Sequence, residues 1–217
     1  MIGAAPTIGR RVRVAGAGRA AAYGDDDGFV VVFTREPPVL PNGLQVRALP
    51  AVGSVVVAGA DEEWDPTLRL GDAPRAPPVM PPDDELARAV SSRDVGAARA
   101  VGARLIGRGP GLTPEGDDVI AGLAAVIAAG DWPAAVRQAW VAALLGGELR
   151  RRTTALSATL LELAAAGMGP EPLQAWLAGD DDAARRLIRI GHSTGRAIAR
   201  GAATALTMCN LGVASRG

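Results

Sequence analysis

Residues 107–118 read Gly-Arg-Gly-Pro-Gly-Leu-Thr-Pro-Glu-Gly-Asp-Asp. Gly107, Gly109 and Gly111 let a backbone approach a ligand closely and adopt positive φ, and Pro110 stiffens the loop. Thr113 followed by Pro114 predicts a helix start, with Thr113 at the N-cap and Pro114 at the first helical position. A glycine-rich loop leading into a helix offers free amides and a positive dipole end, which attract phosphate or carboxylate. Asp117 and Asp118 then fall at the end of the first turn. Two adjacent carboxylates repel a bare phosphate. They tolerate one when Mg²⁺ or an arginine lies between, or they bind ligand amide and hydroxyl groups instead. Arg108 is the nearby anion clamp. The candidate ligand-binding residues here are Arg108, Gly109, Gly111, Thr113 and Gly116. Asp117 and Asp118 are the catalytic candidates, and also the candidate ligands if Mg²⁺ takes part. Acids at a helix start can instead merely complement its dipole, for about 0.3–1 kcal/mol each; one acid would satisfy that role.

Two further segments carry suitable groups. In Arg150-Arg151-Arg152-Thr153-Thr154, with Ser157 beyond it, a continuous helix would set Thr153 and Ser157 on one face. Thr153, Thr154 and Ser157 are added as ligand-binding candidates, against the plainer reading of a solvated basic face. Gly191-His192-Ser193-Thr194-Gly195 offers a second helix N-terminus. His192 and Ser193 are catalytic candidates there, and Thr194 and Gly195 ligand-binding ones.

Three other patterns mislead. Gly16-Ala17-Gly18-Arg19-Ala20-Ala21 matches the dinucleotide fingerprint, with Glu36 at a suitable distance. A crossover helix does not fit before the strand at Phe29, since a βαβ unit needs about 30 residues; an ordinary glycine-rich turn is the better reading. Gly191–Gly195 also matches a nucleophile elbow. His192, the chain's single histidine, neighbours Ser193 and cannot reach round it as a triad base. One histidine and one cysteine, Cys209, make a transition-metal site improbable.

Bulk composition narrows the class. The 217 residues carry 23 basic and 23 acidic side chains, for a formal net charge of zero. That argues against general nucleic-acid binding, which needs a net basic face and usually stacking aromatics; aromatics are only 3%. Every basic residue is Arg, so a Schiff-base lysine and a P-loop lysine are excluded. A single cysteine fits a reducing compartment. No apolar run suits a signal peptide, and the apolar stretch 119–130 is too short to cross a bilayer. A soluble, cytoplasmic protein with a buried helix there is expected.

The elements that must position these groups fall into an α+β order. Residues 1–72 read as a β-rich domain, with short strands at 11–14, 29–33, 44–49 and 54–58 and a turn at Asn42-Gly43. Residues 73–82 hold Pro74, Pro77, Pro78, Pro81 and Pro82 and read as a connection. Residues 83–217 read as a helical domain. Its helices are expected at 83–106, 114–129, 133–146, 149–166, 171–178, 181–190 and 194–208, several ended by glycines.

The string Gly109-Pro110-Gly111-Leu112-Thr113-Pro114-Glu115-Gly116-Asp117-Asp118, with Ala121-Gly122 after it, resembles the G-P-G-L-T-P-S-G-D-D…A-G signature of the AllH family of oxamate carbamoyltransferase subunits. Thr153-Thr154-x-x-Ser157 and Gly191-x-Ser193-Thr194-Gly195 look like that family's T-T-x-x-S and G-x-[ST]-S-G stretches. Glu115 stands where a small polar residue is usual, and Thr194 where Ser is common. The β-rich front is similar only in general character and is short. The resemblance implies a subunit of a carbamoyl-transfer complex of purine (allantoin) catabolism. That complex passes a carbamoyl group between carbamoyl phosphate and oxamate, beside partners that include an FdrA-type subunit. It brings no assigned catalytic residues with it. A small anionic or phosphorylated substrate, other subunits or a homo-oligomer, and no membrane partner follow as expectations. A non-catalytic assembly subunit and a stand-alone enzyme of another class are the alternatives.

Overall fold

The computed structural model describes residues 2–36, 39–70 and 84–213. The proline-rich connection at 73–82 lies outside them. The architecture is α+β: among the described residues a curled seven-stranded sheet precedes eight α-helices.

The strands are β1 (Ile2–Ala4), β2 (Arg11–Ala17), β3 (Ala21–Asp26), β4 (Phe29–Thr34), β5 (Gly43–Gln45), β6 (Val55–Val57) and β7 (Glu62–Trp64). Their order across the sheet is β6-β2-β3-β4-β5-β1-β7. β2, β3 and β4 form an antiparallel meander, whereas β5 runs parallel to β4 and β7 parallel to β1. The Gly16–Ala21 motif is therefore a hairpin corner, closed by the Gly18 amide on the Ala21 carbonyl at 2.7 Å. No crossover helix follows it.

Strand β4 explains how the two halves join. Its side chains alternate, yet both of its faces are buried. Val31 and Phe33 pack inside the curl with Val12, Val14, Ala22 and Leu44. Val30 and Val32 pack outward on Leu156. A strand buried on both faces reads as an unbroken apolar run, as Phe-Val-Val-Val-Phe does here. The Val30 amide also donates to Thr159 Oγ1 at 3.0 Å, and Arg150 donates to the Gly28 carbonyl. At the far edge Trp64 Nε1 donates to Gln174 Oε1 at 3.1 Å.

The helices are α1 (Asp84–Ser91), α2 (Val95–Leu105), α3 (Glu115–Ala129), α4 (Ala134–Leu145), α5 (Ala155–Ala165), α6 (Glu171–Leu177), α7 (Asp181–Leu187) and α8 (Thr194–Val213). α3 is apolar on nearly every side, so it is the central helix, packed by α2, α4, α5 and α8. Aromatic bulk is scarce, and the close contacts are made with glycine. A Cβ on Gly122 would lie 2.1 Å from the Ile198 carbonyl, and one on Gly201 would lie 1.9 Å from the Val119 carbonyl. Helices α3 and α8 thus touch backbone to backbone at both points.

Four sequence expectations change. Residues 83–106 are not one helix: Arg93 takes φ 54°, and Asp94 caps α2 by accepting from the Ala97 amide at 2.9 Å. Residues 149–166 are likewise divided, because Thr154 caps α5 by accepting from the Ser157 amide. Thr153 therefore precedes the helix and does not share a helical face with Ser157. The strand expected at 44–49 is only β5. Strands β1, β3 and β7 were not anticipated; β3 holds Gly24 and two aspartates, poor strand formers, and forms because it is paired on both sides.

Gly201→Ala is expected to destabilise the protein by about 1–3 kcal/mol through overpacking, whereas Gly59→Ala, with open space around it, is expected to be near neutral. Chemical denaturation of both variants checks this.

Candidate functional site

The loop 107–113 leaves α2 and curls over the start of α3. Its glycines take φ values of 81°, 125° and 95° at Gly107, Gly109 and Gly111, which side-chain-bearing residues rarely adopt. Two of the glycines expected to touch ligand are instead packed on the protein's own backbone. A Cβ on Gly116 would lie 2.1 Å from the Leu105 carbonyl, and one on Gly195 would lie 1.8 Å from the Leu187 carbonyl.

The helix start also differs from the expected anion cradle. The Gly116 amide donates to the Arg108 carbonyl at 3.0 Å, and the Asp117 and Asp118 amides both reach the Pro114 carbonyl. The first-turn donors at 116–118 are already satisfied by the loop. Pro114, not Thr113, holds the N-cap position. The Thr113 side chain points elsewhere: its hydroxyl bonds Thr194 Oγ1 at 2.9 Å.

The three motifs meet around the two aspartates. Asp117 is buried and has both oxygens engaged. It accepts from the Gly107 amide at 2.6 Å and from the Thr153 hydroxyl. Thr154 Oγ1 donates to the Leu112 carbonyl at 2.6 Å, so the segment before α5 holds the loop from both ends. Asp118, only 2% exposed, lies against the Thr194 and Thr113 hydroxyls. Its Oδ2 has no hydrogen-bond partner, and neither does the buried Ser157 Oγ. Burial pushes the Asp118 carboxyl up to about 8; the Thr194 hydroxyl opposes this, Asp117 adds to it, and the smaller effects of Thr113 and Glu115 respectively oppose and reinforce it. A mostly neutral acid beside a fully engaged carboxylate is not an open Mg²⁺ site. Among the described residues no group of three or more His, Cys, Asp or Glu side chains could hold a metal.

The remaining candidates lie at the edge of this cluster. Arg108 is exposed, and among the described residues its side chain has no partner. His192 is exposed and Ser193 half-buried, at the junction between α7 and α8. The Ser193 carbonyl accepts from the Ala197 amide at 3.0 Å, which makes Ser193 a helix-start residue.

Beside the cluster, between sheet and helices, lies a cavity of about 620 Å³. Thr113, Thr194 and Gly191 line it from the helical side, and Tyr23, Val32 and Arg35 are on the sheet side. A second cavity of about 610 Å³ shares Tyr23, Leu112 and Leu156 with it. The sequence reading missed Tyr23, Arg19, Arg35 and Arg189, because nothing in their spacing marks a shared cavity.

Stability is expected to fall as pH rises from about 4 to about 8, because folded Asp118 keeps its proton where the unfolded residue has lost it; the contribution present at low pH is lost through the folded pKa of about 8. Asp118→Asn should flatten that slope. Denaturation measured at pH 5, 7 and 9 checks this. Thr153→Val should cost about 1–3 kcal/mol by leaving Asp117 short of a donor, with faster hydrogen exchange at the Gly107 amide.

No curated protein and no solved structure matches the chain. Residues 105–206, which contain all three converging motifs, match the family model described as oxamate carbamoyltransferase subunit AllH, so this segment is similar to that family.

Proposed function

We propose that this chain is a subunit of an oxamate carbamoyltransferase-type complex and that it binds a small anionic or phosphorylated ligand where the three motifs meet. The family match supports the first part. The second is carried by one observation: Thr113 and Thr194, 81 residues apart in sequence, join hydroxyls at 2.9 Å on the wall of a cavity, with buried Asp118 against them. Hydroxyls backed by a neutral acid suit a carbamoyl or carboxyl oxygen, because such an acid can donate where a carboxylate cannot. Preorganised donors of this kind favour the charge that develops on oxygen during acyl transfer. Arg108, on the exposed face of the loop, is the cation that completes the site. Partner subunits of the FdrA type supply the rest of the complex in this reading.

A second reading has a specific observation behind it. Gly116, Gly122, Gly195 and Gly201 are all accounted for by close packing inside the chain, so the signature could serve assembly of the fold alone. Calorimetric titration separates the two. Carbamoyl phosphate or oxamate should bind the complex, or the isolated chain, and Thr194→Val should weaken that binding at least tenfold in a variant whose circular dichroism shows the fold retained. No binding to either preparation, with the complex intact, would leave only the assembly role.

A further inference from the structure

The cavity between sheet and helices is larger than oxamate or carbamoyl phosphate needs, and its walls are the wrong chemistry for so polar a ligand alone. Apart from Thr113, Thr194 and Thr34, its inner wall is apolar, with Tyr23, Leu40, Leu112, Leu156, Leu160 and Ile198 prominent. Three exposed arginines stand on it. Arg19 belongs to the corner between β2 and β3, Arg35 follows β4, and Arg189 comes from the junction between α7 and α8. Among the described residues none of the three makes an ion pair; the one side-chain bond recorded is a long one, from Arg35 to the Arg19 carbonyl at 3.5 Å. Among the described residues Glu36 is the single acid on the same wall. Three cations and one anion, drawn from separate parts of the chain onto one apolar cavity, leave an excess of positive charge. An anion whose remainder is apolar complements that arrangement.

We infer that this cavity is a binding site for an organic anion with an apolar body, its charged head held by Arg19, Arg35 and Arg189 and its body lying on Tyr23, Leu112, Leu156 and Leu160. The cavity is the one whose wall carries Thr113 and Thr194, but the argument rests on its arginines and apolar lining and not on the family match. Arg19, Arg35 and Tyr23 lie outside the matched segment altogether. The head group is a phosphate or a carboxylate, both of which guanidinium groups recognise.

Calorimetric titration of the full chain with inorganic phosphate, ethyl phosphate, hexyl phosphate, hexanoate and hexanol tests this. Hexyl phosphate should bind at least tenfold more tightly than ethyl phosphate, given a gain of up to about fourfold per buried methylene. The combined Arg19→Ala, Arg35→Ala and Arg189→Ala variant should weaken hexyl phosphate at least tenfold and leave hexanol unchanged. Hexanoate equal to hexyl phosphate would assign a carboxylate head, and weaker hexanoate a phosphate one. Hexyl phosphate binding no more tightly than inorganic phosphate, or indifferent to the arginines, would overturn the inference. All three side chains are exposed, so the variant is expected to fold; an unchanged melting temperature verifies that. Carbamoyl phosphate and oxamate in the same titration keep the two readings apart: alkyl phosphate binding without them leaves this site standing, and the other reading then stands or falls on titration of the complex.

Discussion

The buried Asp117 carboxylate organises the motif region. A charge taken out of water must be fully hydrogen-bonded to be tolerated. Asp117 meets that demand with the Gly107 amide at one end of the loop and the Thr153 hydroxyl from another part of the chain. That requirement fixes where the loop begins, and Thr154 on the Leu112 carbonyl fixes where it ends. It also explains why residues 149–154 do not continue as helix into α5. Thr153 must turn to Asp117, and Thr154 must cap.

The neighbouring aspartate has the opposite character. Asp118 has the same side chain one residue later, but its Oδ2 is buried without a donor, and it keeps its proton into the neutral range. Two carboxyl groups are thus differentiated by environment alone, one with both oxygens hydrogen-bonded and the other with a buried oxygen left unpartnered. A divalent cation would want both groups ionised and open.

Much of this was legible in sequence. The 107–118 string stands out because its glycines, Thr-Pro and paired acids exceed what a helix cap needs, and α3 follows from its unbroken apolar stretch. The α+β order was visible from β-branched runs giving way to helical spacing. Convergence of the motifs was not legible, since the Thr113–Thr194 contact depends on how α3 and α8 cross. The partners of the amides at 116–118 were not legible for a related reason. An anion cradle and a self-satisfied loop share the same glycine pattern, and only the positions of the Arg108 and Pro114 carbonyls distinguish them. Strand β3 was hidden because its pairing, not its composition, makes it a strand.

The glycine contacts also divide the molecule by how freely it can change. Where a Cβ would strike a carbonyl at about 2 Å, as at Gly116, Gly122, Gly195 and Gly201, almost no substitution fits, and the packing of the helices on one another is fixed with them. The sheet wall of the cavity is a hairpin corner and a strand end whose arginines face solvent and touch little. The helix packing is therefore closed to mutational drift, and the sheet wall of the cavity is open to it. A scaffold of this kind can acquire a different ligand by altering a few side chains on the sheet, leaving the helical signature untouched.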